Sequence, residues 1–159
     1  MKPYSTIVLK IAVVLIGIPV IALCIFWFPS LLMKTSELKP EYASFRYVLI
    51  GVYISAIPFL YALYQALKLL SYIDKNVAFS ELSVKALKYI KYCANTISII
   101  YVVLMPLVFQ LADADDAPGL VGIPLIIIFA SIVIAVFAAV LQRLLQDAID
   151  IKSENDLTV

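Results

Sequence analysis

The stretch 74–93, DKNVAFSELSVKALKYIKYC, separates two pairs of long apolar runs and decides how the chain is organised. It is the longest polar interruption in a chain of 159 residues, of which 64% are hydrophobic and 14% are charged. An ordinary soluble domain is roughly half apolar, so a water-soluble fold would leave too much apolar surface uncovered. Lipid is therefore the expected solvent for most of the chain, and the sequence predicts an all-α integral membrane protein.

Four apolar runs without charged residues supply the predicted transmembrane helices. About 20 helical residues, at about 1.5 Å each, cross a hydrocarbon core of about 30 Å. The runs cover residues 11–33, 47–67, 93–112 and 118–141, within one domain at 1–159. A central segment at 68–92 and a tail at 142–159 lie outside them. The first run exceeds the roughly 7–15-residue core of a signal peptide and lacks a small-x-small cleavage motif, so we expect a retained helix.

The positions of lysine and arginine predict the orientation, because cytoplasmic loops carry an excess of both. Four spans place both termini and the central segment on one side of the membrane. That side holds nine of the twelve basic residues: Lys2, Lys10, Lys68, Lys75, Lys85, Lys88, Lys91, Arg143 and Lys152. The other side holds Lys34, Lys39 and Arg46. We therefore expect a multi-pass protein of the cell membrane with both termini in the cytoplasm.

An amphipathic helix is predicted in the central segment, from Ser80 to Lys91. Ser80 can act as its N-cap, and Glu81 lies in the first turn, where a carboxylate interacts favourably with the helix dipole. Glu81, Lys85 and Lys88 then share one face. The helix either lies on the membrane surface or continues into the third span. Its lysines are expected to bind anionic lipid headgroups, and docking of a cytoplasmic protein is the alternative.

The tail continues the fourth run as an apolar stripe at helical spacing, beside Asp147 and Asp150. These acidic residues fall on the same side of the membrane as the lysines of the central segment. We expect the acidic extension to pack near the central helix and to form one cytoplasmic platform with it. The candidate residues for binding a partner or lipid headgroups are Lys75, Ser80, Glu81, Lys85, Lys88, Lys91, Asp147 and Asp150.

Inside the four runs there is no Asp, Glu, Lys, Arg or His. Proton relays, ion-coupled transporters and voltage sensors depend on such groups at membrane depth, so the sequence disfavours these functions. Uncharged polar residues in the runs favour hydrogen bonds between helices, and the alternative is a ligand pocket lined by Gln65, Asn95 and Ser98. Prolines in all four runs can kink the helices and open a cavity, although neighbouring helices commonly accommodate such kinks.

No catalytic residue, metal site or cofactor is predicted. The chain has no histidine, and its two cysteines, Cys24 and Cys93, form neither a metal-ligand spacing nor a disulfide framework. Asp113, Asp115 and Asp116 are oxygen ligands of the kind that divalent cations prefer, but three carboxylates in one short turn are more typical of a solvated loop. The net charge of +1 gives no support for direct binding of nucleic acid. An enzyme is therefore not expected.

The chain resembles the YoaS-like bacterial membrane proteins, a four-helix family of unknown function. The resemblance rests on Phe79-Ser80-Glu81, on LKYI at 87–90, and on the closing stretches LQRLLQDA (141–148) and IKSENDLTV (151–159). It covers nearly the whole chain and implies no catalytic residues. Members of this family are often encoded beside a small helix-turn-helix regulator of the Cro type, and this implies a membrane partner for a transcription factor.

Two functions follow as hypotheses. The first is a regulatory interaction protein that holds a small cytoplasmic helix-turn-helix regulator at the membrane through the central helix and the acidic tail. The second is a binder or exporter of a small amphipathic molecule, such as a lipid or an antimicrobial peptide, within the proline-kinked bundle. Four helices alone would not enclose a path, so this second function requires a homo-oligomer. Membrane lipids are expected partners in both cases.

Overall fold

A computed structural model describes residues 3–34, 37, 40 and 43–157 of the chain. Two of the basic residues counted above, Lys2 and Lys39, and the final residues 158–159 lie outside this description. The elements in chain order are α1 (Pro3–Ala22), a π-helical turn (Leu23–Trp27), α2 (Phe28–Lys34), α3 (Ala43–Asp74), α4 (Glu81–Ala114), a 3-10 turn (Pro118–Val121) and α5 (Gly122–Leu157). Because α1, the π turn and α2 follow one another without a break, they are called the first helix below.

The described residues contain four helices that are long and apolar enough to cross a membrane. They are the first helix, α3, α4, and α5 together with the 3-10 turn before it, and each contains one of the predicted apolar runs. Large side chains such as Phe26 and Phe129 are 75% and 71% exposed. A surface covered with such side chains is stable against lipid and not against water. The predicted all-α architecture with four membrane-crossing helices is therefore confirmed.

The helices extend well beyond the hydrocarbon core. α3, α4 and α5 have 32, 34 and 36 residues, which correspond to lengths of about 48 to 54 Å. The central segment 68–92 is therefore mostly helical: its start completes α3, residues 81–92 begin α4, and only residues 75–80 connect the two. Of the two alternatives for the amphipathic helix, the structure has the one in which it continues into the third span. The tail is helical as far as Leu157.

α4 is the central helix of the bundle. It packs extensively against α3 and against α5, whereas α1 and α2 pack against α3. Gly51 lies at a close approach of α3 to α4, since a Cβ atom placed there would be 2.5 Å from Leu104 Cδ2. Small residues allow membrane helices to approach in this way, and tight packing then stabilises them where lipid removes the hydrophobic driving force. These contacts link the four helices in chain order, from the first helix through α3 and α4 to α5.

A left-handed residue closes α3 and allows the sharp turn into α4. Asn76 has a φ of 60°, a conformation that asparagine tolerates better than most residues. Its N–H donates to Ile73 O at 3.2 Å, and the N–H of Val77 donates to Tyr72 O at 2.9 Å. These two bonds form a Schellman motif, which satisfies carbonyls at the helix end. The end of α4 repeats the pattern, with Asp116 at φ 50° and bonds from Asp116 to Asp113 O and from Ala117 to Ala112 O.

Candidate functional site

The start of the first helix, the α3–α4 turn and the end of α5 lie at one end of the bundle, called the charged end below. Lys10 forms an ion pair with Asp74, and Thr6 donates a hydrogen bond to the same carboxylate. These contacts join the start of α1 to the end of α3. The side chains of Lys10 and Asp74 are 35% and 31% exposed, so solvent weakens the attraction between them.

The start of α4 and the end of α5 meet at the same charged end. Gln146 Nε2 donates to Glu81 Oε1 at 3.2 Å and to Asp150 Oδ1 at 3.1 Å. One step further into the bundle, Lys91 Nζ donates to Gln142 Oε1 at 3.3 Å. The acidic extension of α5 therefore packs beside the basic start of α4, and glutamine amides make the contacts. We call residues 81–91 of α4 together with residues 142–157 of α5 the platform.

Most of the candidate binding residues are exposed around this platform. Lys75, Glu81, Lys85, Lys88, Asp147 and Asp150 are exposed, and Lys91 and Ser80 are half-buried. The structure joins Glu81 to Asp150 through Gln146, and it places Lys91 and Asp147 in the wall of one small cleft. Lys75 stands apart from them in the turn that precedes α4.

Ser80 occupies the position predicted for it but uses its hydroxyl differently. Its backbone is extended, and its carbonyl accepts hydrogen bonds from the N–H groups of Ser83 and Val84, as an N-cap residue does. The hydroxyl makes no capping bond and instead donates to Val77 O in the preceding turn. Ser80 is therefore the N-cap residue, as predicted, although its side chain does not form the capping bond. The helix begins at Glu81 because the turn before it is fixed by Asn76 and by this bond.

Tyrosines and lysines form a belt where the apolar runs reach the charged end. Lys68 Nζ lies 4.9 Å from the centre of the Tyr64 ring. The Tyr92 ring lies 5.8 Å from Lys88 Nζ and 5.1 Å from Lys91 Nζ. Such cation–π contacts, together with half-exposed tyrosines, are typical of the level of the lipid headgroups. We therefore expect the belt to lie where the bundle leaves the hydrocarbon core.

An apolar groove of about 550 Å³ lies between the four helices. Its volume is within the range of roughly 300–1,000 Å³ that is usual for ligand pockets. The first helix, α3, α4 and α5 all contribute to the wall, and apolar side chains make up nearly all of it. Its hydroxyl groups belong to Ser55, Tyr101 and Ser131.

The groove differs from the polar pocket that the sequence suggested. Gln65 is only 3% exposed and Ser98 is buried, but Asn95 is exposed, and none of the three lines the groove. On α4 the groove is lined by Ala94 and Ile97 among others, and Asn95 follows Ala94 by one residue, about 100° around the helix. The structure therefore does not bring the three polar residues together in one cavity.

Small residues, two of them at helical spacing, are the sequence signal from which this groove could have been predicted. Ala62 and Ala66 of α3, Ala94 of α4 and Ala130 of α5 all line it. Their short side chains leave unfilled the space between helices that larger residues occupy elsewhere. The π turn, which brings Leu23 and Cys24 into the wall, had no such signal.

The acidic turn after α4 lies at the opposite end of the bundle. Asp113, Asp115 and Asp116 are exposed there. Among the residues that the structure describes, no three His, Cys, Asp or Glu side chains are grouped so that they could hold a metal ion.

Comparison with known proteins gives a family without an assigned activity. Residues 30–159 match the family described as "Protein of unknown function (DUF2975)". The chain is 65% identical over 160 residues to the "Uncharacterized membrane protein YoaS" of Bacillus subtilis (strain 168), and the similarity covers 100% of both chains. No solved structure matches the chain. These similarities confirm the family resemblance seen in the sequence, and neither name states a substrate, a ligand or a partner.

Proposed function

The chain belongs to the DUF2975 family of unknown function and is a membrane protein with four candidate spans, and from that premise we propose that it is a regulatory interaction protein of the cell membrane. The charged end faces the cytoplasm, and the excess of lysine and arginine there supports this orientation. The platform holds a small helix-turn-helix regulator beside the membrane. The anionic lipid headgroups around the tyrosine–lysine belt keep the platform at a fixed distance from the membrane surface.

The exposed end of α5 is the observation that supports this proposal most directly. Residues 142–157 continue for about 24 Å past the fourth apolar run, and residues 151–157 are all exposed. Two of these side chains are large and apolar: Ile151 is 60% exposed and Leu157 is 83% exposed. Apolar side chains on a helix outside the bilayer, flanked by charges of both signs, have the character of an interface for a protein partner.

Co-purification tests the partner. The tagged full-length protein is extracted in mild detergent together with a small helix-turn-helix regulator of the Cro type, the partner that the family resemblance implies. We expect the regulator to be retained by the wild type and lost, by more than tenfold, from the double variant I151E/L157E. The matched control is D115N/D116N, which changes charge at the opposite end of the bundle and leaves retention unchanged. If the wild type retains no regulator under any growth condition tried, the proposal is wrong.

The cytoplasmic location of the charged end is tested separately. A cysteine introduced at Lys75 is compared with one at Asp115, in intact cells, using a thiol reagent that does not cross the membrane. We expect labelling at position 115 only. Labelling at position 75 alone would reverse the orientation and remove a cytoplasmic partner from consideration.

The groove supports a second function, the binding of a small amphipathic molecule. Its lining on α3 runs from Val52 to Ala66, about 21 Å along the helix, which is less than the hydrocarbon core of about 30 Å. A single chain therefore offers a binding site and not a complete path, so export would need a homo-oligomer. Native mass spectrometry tests this function: a defined oligomer or a retained small molecule supports it, and a bare monomer contradicts it.

A further inference from the structure

We propose that the groove is a binding site for one hydrocarbon chain of a bilayer phospholipid, which enters sideways between the first helix and α5. This inference rests on the second function above and names its ligand. The phospholipid headgroup stays outside the groove, at the membrane surface. The first helix forms the wall of the groove that adjusts to the hydrocarbon chain of the lipid.

The side chains that line the groove favour an apolar ligand. Among the residues that the structure describes, no charged side chain lines the groove. Ser55 Oγ donates its hydrogen to Val52 O at 2.7 Å and lies 3.0 Å from the Tyr101 hydroxyl. Because the serine hydrogen is already used, Tyr101 donates to Ser55, and both hydroxyls have spent their hydrogens within the protein. Ser131 has the remaining hydroxyl of the wall, so a polar ligand would lose its hydration here and gain at most one hydroxyl donor, whereas a hydrocarbon chain loses nothing.

The position of the groove indicates that its ligand comes from the bilayer. The first helix packs against α3, and α5 packs against α4, with no extensive contact between the first helix and α5 in the described parts of the chain. The groove therefore opens between them towards the membrane interior. Protein interiors rarely leave voids much larger than a water molecule, and no water is available in the hydrocarbon core to fill this one. Lipid chains are the molecules present at the opening.

The π turn is a second feature that points to this site. Leu23–Trp27 is π-helical, and its residues Leu23 and Cys24 line the groove. π-helical turns inside α-helices are rare and often occur at functional sites. The turn lies in the helix with the least burial: 6% of its most apolar 18-residue stretch is inside the protein. The wall with the irregular backbone is thus also the wall that can move most easily.

Native mass spectrometry with groove-filling variants tests the inference. The full-length protein is reconstituted in nanodiscs of phosphatidylglycerol and phosphatidylethanolamine and then released into the gas phase. We expect one phospholipid to remain bound per chain. In the variant A62F/A130F, where two groove residues become phenylalanine, the retained fraction falls by more than tenfold. The control I57F/V136F places phenylalanine on exposed positions of the same two helices and keeps the lipid.

A second measurement covers the case in which the filled variant does not fold. In a W27F background, a tryptophan is placed in the groove as F59W or on the exposed surface as F129W. Phosphatidylglycerol with brominated chains is then added to delipidated protein in detergent. Quenching of F59W should saturate near one lipid per chain, and quenching of F129W should not saturate at that ratio. Equal quenching curves for the two positions overturn the inference.

The other outcomes are equally decisive. A retained small molecule that is not a phospholipid overturns the inference but leaves the second function standing. A dimer with no bound molecule shows that a second copy covers the groove, and it also overturns the inference. A monomer that retains nothing removes both the inference and the second function.

Discussion

The first helix and α4 cross the same membrane but are held in it differently. In α4, 33% of the most apolar 18-residue stretch is buried within the protein, against 6% in the first helix. α4 has a helix on each side, whereas the first helix packs against α3. In lipid an apolar side chain gains little from burial as such, so helix association depends on close packing and a few polar contacts. The difference thus separates a fixed scaffold, α3–α4–α5, from a loosely attached wall.

The contacts of the first helix with α3 are few and spread along its length. Lys10 and Thr6 meet Asp74 at the charged end. Near the other end, the rings of Phe28 and Tyr53 meet edge to face, with centroids 5.9 Å apart. The first helix, which packs against α3, is therefore freer to shift than the helices that pack extensively on α4. The scaffold, in contrast, has little freedom to change.

The largest expected effect is that of a substitution at Gly51 of α3. Its comparison with a substitution at Gly17 of the first helix tests the difference between the scaffold and the wall directly. At Gly51 an added Cβ would lie 2.5 Å from Leu104 Cδ2, and Leu104 is itself buried. We expect G51A to lower the free energy of unfolding by about 1–3 kcal/mol, because overpacking displaces neighbours. At Gly17 of the first helix, the nearest atom to an added Cβ would be Leu63 Cδ1 at 3.5 Å, an ordinary contact.

G17A is the matched control for that prediction. Alanine favours helix over glycine by up to about 1 kcal/mol, so G17A is expected to be neutral or slightly stabilising. Both variants are compared by thermal unfolding in detergent, followed by circular dichroism. Equal losses at the two positions would mean that the first helix is packed as tightly as the scaffold.

A smaller effect is expected from releasing the first helix at the charged end. D74N removes the ion pair with Lys10 and weakens the bond from Thr6. Because the paired side chains are partly exposed, we expect amide hydrogen exchange in residues 3–20 to become roughly twofold to fivefold faster. Exchange in α4 should not change. The control is K34M, which removes a charge at the far end of the first helix. Faster exchange in α4 with D74N would contradict the separation of wall and scaffold.

The sequence predicted the scaffold's spans well and the groove poorly, for one physical reason. A run without charges identifies a membrane helix whichever way it is rotated, so the spans required no knowledge of packing. The position of a groove depends on how each helix is rotated about its axis. Because the lipid-facing and protein-facing sides of a membrane helix are both apolar, hydrophobic periodicity does not distinguish them. Gln65, Asn95 and Ser98 were grouped by polarity, yet Asn95 is exposed while the other two are buried.

At the charged end the sequence carried more information because water restores the contrast between faces. The lysines of α4 and the acids of α5 were expected to come together, and the two helices do meet there. The residues that make the contacts, Gln142 and Gln146, were not singled out. Neutral amides carry no charge pattern from which a pairing could be read, and the same is true of the left-handed Asn76, which closes α3.

The smallest expected effect concerns the attachment of α5 to α4 within the platform. Gln146 bridges Glu81 and Asp150 through bonds of 3.2 and 3.1 Å in an exposed setting, so Q146A should lower the free energy of unfolding by only about 0.5–1 kcal/mol. The local effect should be clearer than the global one. A disulfide between cysteines at Lys91 and Gln142, whose side chains contact each other across the two helices, is expected to form readily in the otherwise unchanged platform and more slowly with Q146A. S153A, at an exposed position further along α5, serves as control and should leave the rate unchanged. If the crosslink never forms, the two helices do not pack together at the charged end, and the platform, unlike the rest of the scaffold, would be as loosely held as the first helix.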